Sequence, residues 1–238
     1  MTYWDWAALG LFAVCWLFYE PVLHGLSRRT GAITRDMYVV RLAWMRTMTG
    51  REVKLLDSQL LGHAINSASF FASANLILIA AVAGALFGGG GEVLSGVEGL
   101  GIRAEGRVFD YKLALVTLCL ARGLLEFIWG IRQMNYVLAL IGAAPETGER
   151  SEAFARAATD VLNPALTAFS RGVRGYYFAL AAAAWFYGPL ALGAVTAAAT
   201  LLLVWRQSRS PAARGIREAR RLLDPGGDTI DPKSSFDE

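Results

Sequence analysis

Two cysteines and two histidines are all that 238 residues contain. Cys15 and Cys119 sit inside apolar segments, where a thiol behaves as a small hydrophobe. There is no CxxC and no metal-ligand spacing, which argues against a disulfide framework, a zinc site or a thiol redox centre. His24 and His63 are too few to hold a metal by themselves. Charge is scarce as well: 18% of residues are charged, against 55% hydrophobic. The scarcity is local rather than uniform. Gly175 to Trp205 contains no charged side chain at all, and neither does Ser58 to Gly91, where His63 is the only interruption. About 20 helical residues suffice to cross the hydrocarbon core of a bilayer. Runs of this length exclude an ordinary soluble domain and point to an all-α, polytopic integral membrane bundle whose first partner is the lipid bilayer.

Motif absences narrow the chemistry. Gly88–Gly91 is not a phosphate-binding loop, because no Lys-Ser/Thr follows it. Ser69 and Ser73 lack a GxSxG context and a His–Asp partner set, so no hydrolase is expected. No catalytic residues, no cofactor and no enzyme activity are read from the chain. Net charge is +3, yet the basic residues flank the apolar runs, where they set orientation and meet headgroups. No nucleic-acid motif accompanies them.

Five membrane segments fit the pattern. The first runs from about Trp4 to Leu23, with Pro21 expected to end or kink it, and reads as an uncleaved span. The second covers about Leu61 to Phe87, and the third about Leu113 to Ile141. The uncharged run after Gly175 would be about 46 Å as one straight helix, against a core of about 30 Å. Gly188-Pro189 in its middle suggests a hairpin whose arms are the last two segments. The rival is one tilted, kinked fourth span. Between these lie basic amphipathic helices at about residues 32–56 and 149–170, the latter broken or bent at Asn163-Pro164. Residues 1–206 then form a single transmembrane domain, followed by a basic helix and a disordered tail over 207–238. Residues 24–58 hold seven Arg/Lys and residues 88–112 hold three, which places the N-terminus outside and the C-terminus in the cytoplasm.

Several strings carry a family resemblance: Asn66-Ser67-Ala68-Ser69-Phe70-Phe71-Ala72-Ser73, Phe127-Ile128-Trp129-Gly130-Ile131-Arg132-Gln133-Met134-Asn135-Tyr136, Gly142-Ala143-Ala144-Pro145, and Arg174-Gly175-Tyr176-Tyr177-Phe178 leading to Ala184-Trp185-Phe186. Together they resemble a bacterial and plant membrane family known as domain of unknown function 599. The resemblance implies a small multi-span protein of the bacterial inner membrane. It implies no activity and brings no site residues.

Ionisable groups deep in a bilayer are costly and mark candidate sites. Arg122 and Glu126 lie near the middle of the third span, and Asn75 at similar depth in the second. They line a polar site in one reading. In the other, Arg122–Glu126 is a self-satisfied i,i+4 pair. Asn66, Ser69 and Ser73 share a small, polar face that suits close helix approach or pore lining. Glu20, Arg132, Gln133 and Asn135 form an inner vestibule or lock helices together, with Glu20–Arg132 as a depth-matched pair. The leading expectation is a homo-oligomeric channel or transporter for ions or small solutes. The alternative is a non-conducting scaffold or assembly partner of another membrane protein. Anionic lipid headgroups are candidate partners for the basic helices.

Overall fold

The computed structural model describes residues 1–30, 33–87, 107–145 and 148–225, with side chains for all of these except residues 20–30, 33–35 and 149. Every regular element among them is a helix: α1 (Tyr3–Thr30), α2 (Ile33–Thr49), α3 (Leu55–Phe87), α4 (Arg107–Ala143), α5 (Glu149–Ala184), α6 (Pro189–Ser208) and α7 (Pro211–Leu223). Of these, α3, α4 and the helix that starts at Pro189 are long and apolar enough to cross a bilayer.

The antiparallel pair α4–α5 is the spine. Two apolar cores are threaded on it. One joins Phe12 and Tyr19 of α1, Val116 and Leu120 of α4, Phe178 and Ala182 of α5, and Leu192 and Leu203 of α6. The other joins Leu42, Met45 and Met48 of α2, Leu61 and Ala68 of α3, Met134 and Ile141 of α4, and Ala155 and Leu162 of α5. The helices α3 and α4 also pack on one another.

The run after Gly175 does turn at Gly188-Pro189. Helix α5 ends at Ala184, a 3-10 turn spans Trp185–Tyr187, and Gly188 takes φ 118°, a left-handed value that favours glycine. Pro189 then begins α6, where its missing N–H costs nothing. The Arg206 guanidinium donates to the Tyr177 hydroxyl at 2.7 Å. A continuous helix would hold these two residues about 44 Å apart. The chain therefore doubles back, and α6 lies beside α1 and α5.

Several boundaries differ from expectation. Pro21 does not end α1, whose backbone stays helical to Thr30. One missing hydrogen bond in a 28-residue helix is outweighed by the rest of the ladder. Nor does Asn163-Pro164 break a helix: α5 runs through it for 36 residues. Leu162, Ala165 and Ala168 stay fully buried on both sides of the proline, so packing along α4 carries the helix through it. The carbonyl of Asn163 also accepts from Thr167 Oγ1 at 2.8 Å and Arg41 Nη1 at 3.3 Å. Helix α2 stops at Thr49 rather than near 56. The cause is a staple around Asp57, which is wholly buried in the first turn of α3. Trp44 Nε1 donates to its carboxylate at 2.7 Å, and Arg51 pairs with the same oxygen. That staple ties the end of α2 to the start of α3, where the helix N-terminus favours the carboxylate charge. Residues 88–112 read as a Gly-rich loop in sequence; 88–106 lie outside the described residues, but 107–112 already belong to α4, and the tail expected to be disordered lies outside them beyond residue 225.

A candidate polar cleft where α1, α4 and α5 cross

Helical spacing places Cys119, Arg122, Gly123 and Glu126 on one side of α4. The same spacing aligns Arg171, Arg174, Gly175 and Phe178 on α5, and Trp16 and Tyr19 complete the walls from α1. Three arginines and one glutamate thus converge on a single cleft. Its volume is about 30 Å³, room for about two waters.

Glycines let the two backbones approach this closely. A Cβ on Gly123 would lie 3.4 Å from the Gly172 carbonyl oxygen, and one on Gly175 would lie 3.2 Å from the Gly123 Cα. A Cβ on Gly172 would meet three atoms of the Phe127 ring at 2.5 to 2.8 Å. That ring is fully buried and enclosed by Phe71, Phe169 and Tyr176, with centroids 5.9 to 6.1 Å away.

Among the described residues no ion pair joins Arg122 to Glu126, although they are one turn apart. Arg122 is exposed and lies over the Trp16 ring instead, 5.1 Å from its centroid, a cation–π contact. Arg174 stands 5.6 Å over Tyr19 in the same manner. Glu126 is half-buried.

The remaining sequence candidates fall elsewhere. Asn75 is buried between α3 and α4, behind Gly123, and donates from Nδ2 to the Leu120 carbonyl at 3.0 Å. Asn66, Ser69 and Ser73 lie on the exposed side of α3, away from the cleft. Arg132 lies beyond Glu126 along α4 and donates to the Tyr136 hydroxyl at 2.6 Å. Gln133 is half-buried and Asn135 exposed. The Glu20 side chain, expected to pair with Arg132, lies outside the described residues. The wall residues that sequence reasoning missed are Trp16, Tyr19, Arg171 and Arg174. Their signal was present, since Arg171, Arg174 and Gly175 share a face by i, i+3, i+4 spacing. Among the described residues no group of three His, Cys, Asp or Glu is placed to hold a metal.

Polar locks join the helices at the far end of the spine. Tyr38 donates to Asp160 at 2.9 Å, and burial beside that carboxylate pushes the phenol up to about 12. Arg46 and Arg156 both bind Glu152, and the Arg46 contact draws that carboxyl down to about 2. Arg41 is buried against Asn163, a neutral partner, and desolvation lowers the guanidinium to about 10. Arg220 of α7 reaches Asp36 in the first turn of α2 at 2.9 Å.

The pattern of strings and spans is that of a known group. The chain belongs to the family described as protein of unknown function, DUF599. The family's model matches residues 7–212, which takes in every wall of the cleft and ends inside α7. No curated protein and no solved structure matches the chain. Membership of DUF599 thus agrees with membrane-type helices and leaves the activity to be argued from the cleft.

Proposed function

We propose that this DUF599 protein crosses the bacterial inner membrane five times, N-terminus outside and C-terminus in the cytoplasm, and works as a homo-oligomeric channel or transporter for small anions. In this reading α1 and α5 cross beside α3, α4 and α6. One observation supports the site above others: the guanidiniums of Arg122, Arg171 and Arg174 line one cleft together with the Glu126 carboxylate, and Arg122 lies over Trp16 rather than pairing with that carboxylate. Arginines lining a cavity between membrane helices mark a candidate anion pathway. The chemistry fits a small oxyanion or halide held by guanidinium donors. With room for two waters, the cleft has to widen at the α1 wall before a solute larger than water passes.

The test is flux in vesicles reconstituted with purified protein. Chloride or phosphate flux should exceed that of protein-free vesicles, and Arg122→Gln should reduce it at least tenfold while the protein still elutes as one species. Flux equal to that of empty vesicles, or unchanged in Arg122→Gln, overturns the proposal.

A second reading is a non-conducting scaffold. It is favoured by α3, which exposes Phe70 and Ile77 beside the polar Asn66, Ser69 and Ser73. Small and polar groups on a lipid-facing helix suit association with another helix. A complex of fixed size with a second membrane protein, without any flux, would decide for it.

A further inference from the structure

The corner between α6 and α7 fixes a basic surface at the level where lipid phosphates lie. Helix α6 is one of the helices apolar enough to cross a bilayer, and it ends at Ser208 after the exposed Trp205. Indole rings settle at the membrane–water interface. Only Arg209 and Ser210 separate the two helices, and two residues span less than about 10 Å. The corner is also stiff. Ser210 caps α7 by accepting from the Ala213 N–H at 3.1 Å, its hydroxyl donates to the Arg206 carbonyl at 2.6 Å, and Pro211 opens the helix. Helix α7 therefore starts at headgroup level and has no slack to leave it.

Its rotation is fixed too. Arg220 pairs with the buried Asp36 of α2, and Arg217 donates to the Ser208 carbonyl at 3.0 Å. Arg206 is engaged by Tyr177. Three of the six arginines in this region are thus used internally. The other three, Arg209, Arg214 and Arg221, remain exposed. Arg214 and Arg221 are seven residues apart, hence on one face. The only acid on α7 is Glu218, 3.4 Å from Arg221. Leu222, 75% exposed, and Leu223 adjoin this face at its end. A docked helix would normally bury such leucines.

We infer that the exposed face of α7 is a binding surface for anionic phospholipids, with Arg209, Arg214 and Arg221 meeting headgroup phosphates and Leu222 entering the acyl boundary. Exposed guanidiniums lacking a full set of internal counterions complement an anionic leaflet, and apolar residues at the rim of a basic helix are what anchor it there. The inference is separate from anion passage through the cleft and survives if no flux is found.

The experiment uses the full chain in neutral detergent. Phosphatidylglycerol, phosphatidylcholine of the same acyl chains, or inorganic phosphate is added, and bound lipid is counted by native mass spectrometry while thermal stability is followed. Wild type should bind phosphatidylglycerol at least tenfold more tightly than phosphatidylcholine. Arg209→Gln/Arg214→Gln/Arg221→Gln should reduce that preference to within about twofold while keeping its fold, since all three side chains are exposed. Leu222→Ser should weaken binding of both lipids. The inference is overturned if the triple variant keeps the wild-type preference, or if wild type shows none. It is equally overturned if the preference is lost in Arg122→Gln but kept in the triple variant, which places the lipid in the cleft. Competition by inorganic phosphate would mean a free-phosphate site rather than a lipid surface.

Discussion

Replacing Gly172 by alanine tests whether the α4–α5 crossing is as tight as the cleft requires. Two effects oppose each other. Alanine in a helix interior is favoured over glycine by about 1 kcal/mol. Against this, the new methyl would lie 2.5, 2.6 and 2.8 Å from Phe127 ring atoms, and overpacking of a dense core costs about 1–3 kcal/mol. The cost belongs at the upper end, because Phe127 is fully buried and ringed by Phe71, Phe169 and Tyr176. Net destabilisation of about 1–2 kcal/mol follows, a fall in Tm of about 5 °C for a chain of this size. The matched control is Gly62→Ala in α3, where nothing lies within 4 Å of the added Cβ. That variant should gain about 0.5–1 kcal/mol. Thermal unfolding in detergent, followed by circular dichroism, compares the two. Phe127→Leu in the Gly172→Ala background should recover part of the loss, giving a coupling of about 1 kcal/mol between these sites. If Gly172→Ala proves as stable as Gly62→Ala, the glycine-to-aromatic fit does not exist and the cleft walls are not fixed as described.

Two further outcomes concern the helix locks. Arg41 is a buried cation with a neutral partner, so Arg41→Met should be neutral or stabilising, whereas Asn163→Leu, which leaves the cation only the backbone carbonyl of residue 163, should cost about 1–3 kcal/mol; denaturant midpoints that rank the other way would refute the assignment. Glu152 has its carboxyl drawn down to about 2 from an ordinary 4.5 by Arg46. A depressed acid stabilises the fold above its unfolded value and loses that contribution as pH falls from about 4.5 toward 2. Because the pair is exposed, the amount is at most about 1 kcal/mol; Glu152→Gln should be the less stable form at about pH 6, and the gap should narrow below about pH 4.5 and close only near pH 2, in Tm measured across that range.

Two kinds of information decided this molecule. Membrane character and the turn at Gly188-Pro189 were legible in sequence, because uncharged runs and a Gly-Pro pair act through local chemistry. The helix ends looked for at prolines 21 and 164 did not appear, for the same reason. A local breaker signal says nothing of the contacts that carry a helix through it, as Leu162, Ala165 and Ala168 do around Pro164. The site divided along the same line. Arg122 and Glu126 stood out as charges in an apolar span, but their partners could not be read. An i,i+4 pair was available along α4, yet Trp16, distant in sequence, takes Arg122. Asn75 matched the pair in depth and faces Leu120 from behind the cleft. Spacing along one helix reports which residues share a face. Which neighbour that face meets depends on the rotation of each helix about its axis, and here Gly123, Gly172 and Gly175 set that rotation by allowing backbones to touch.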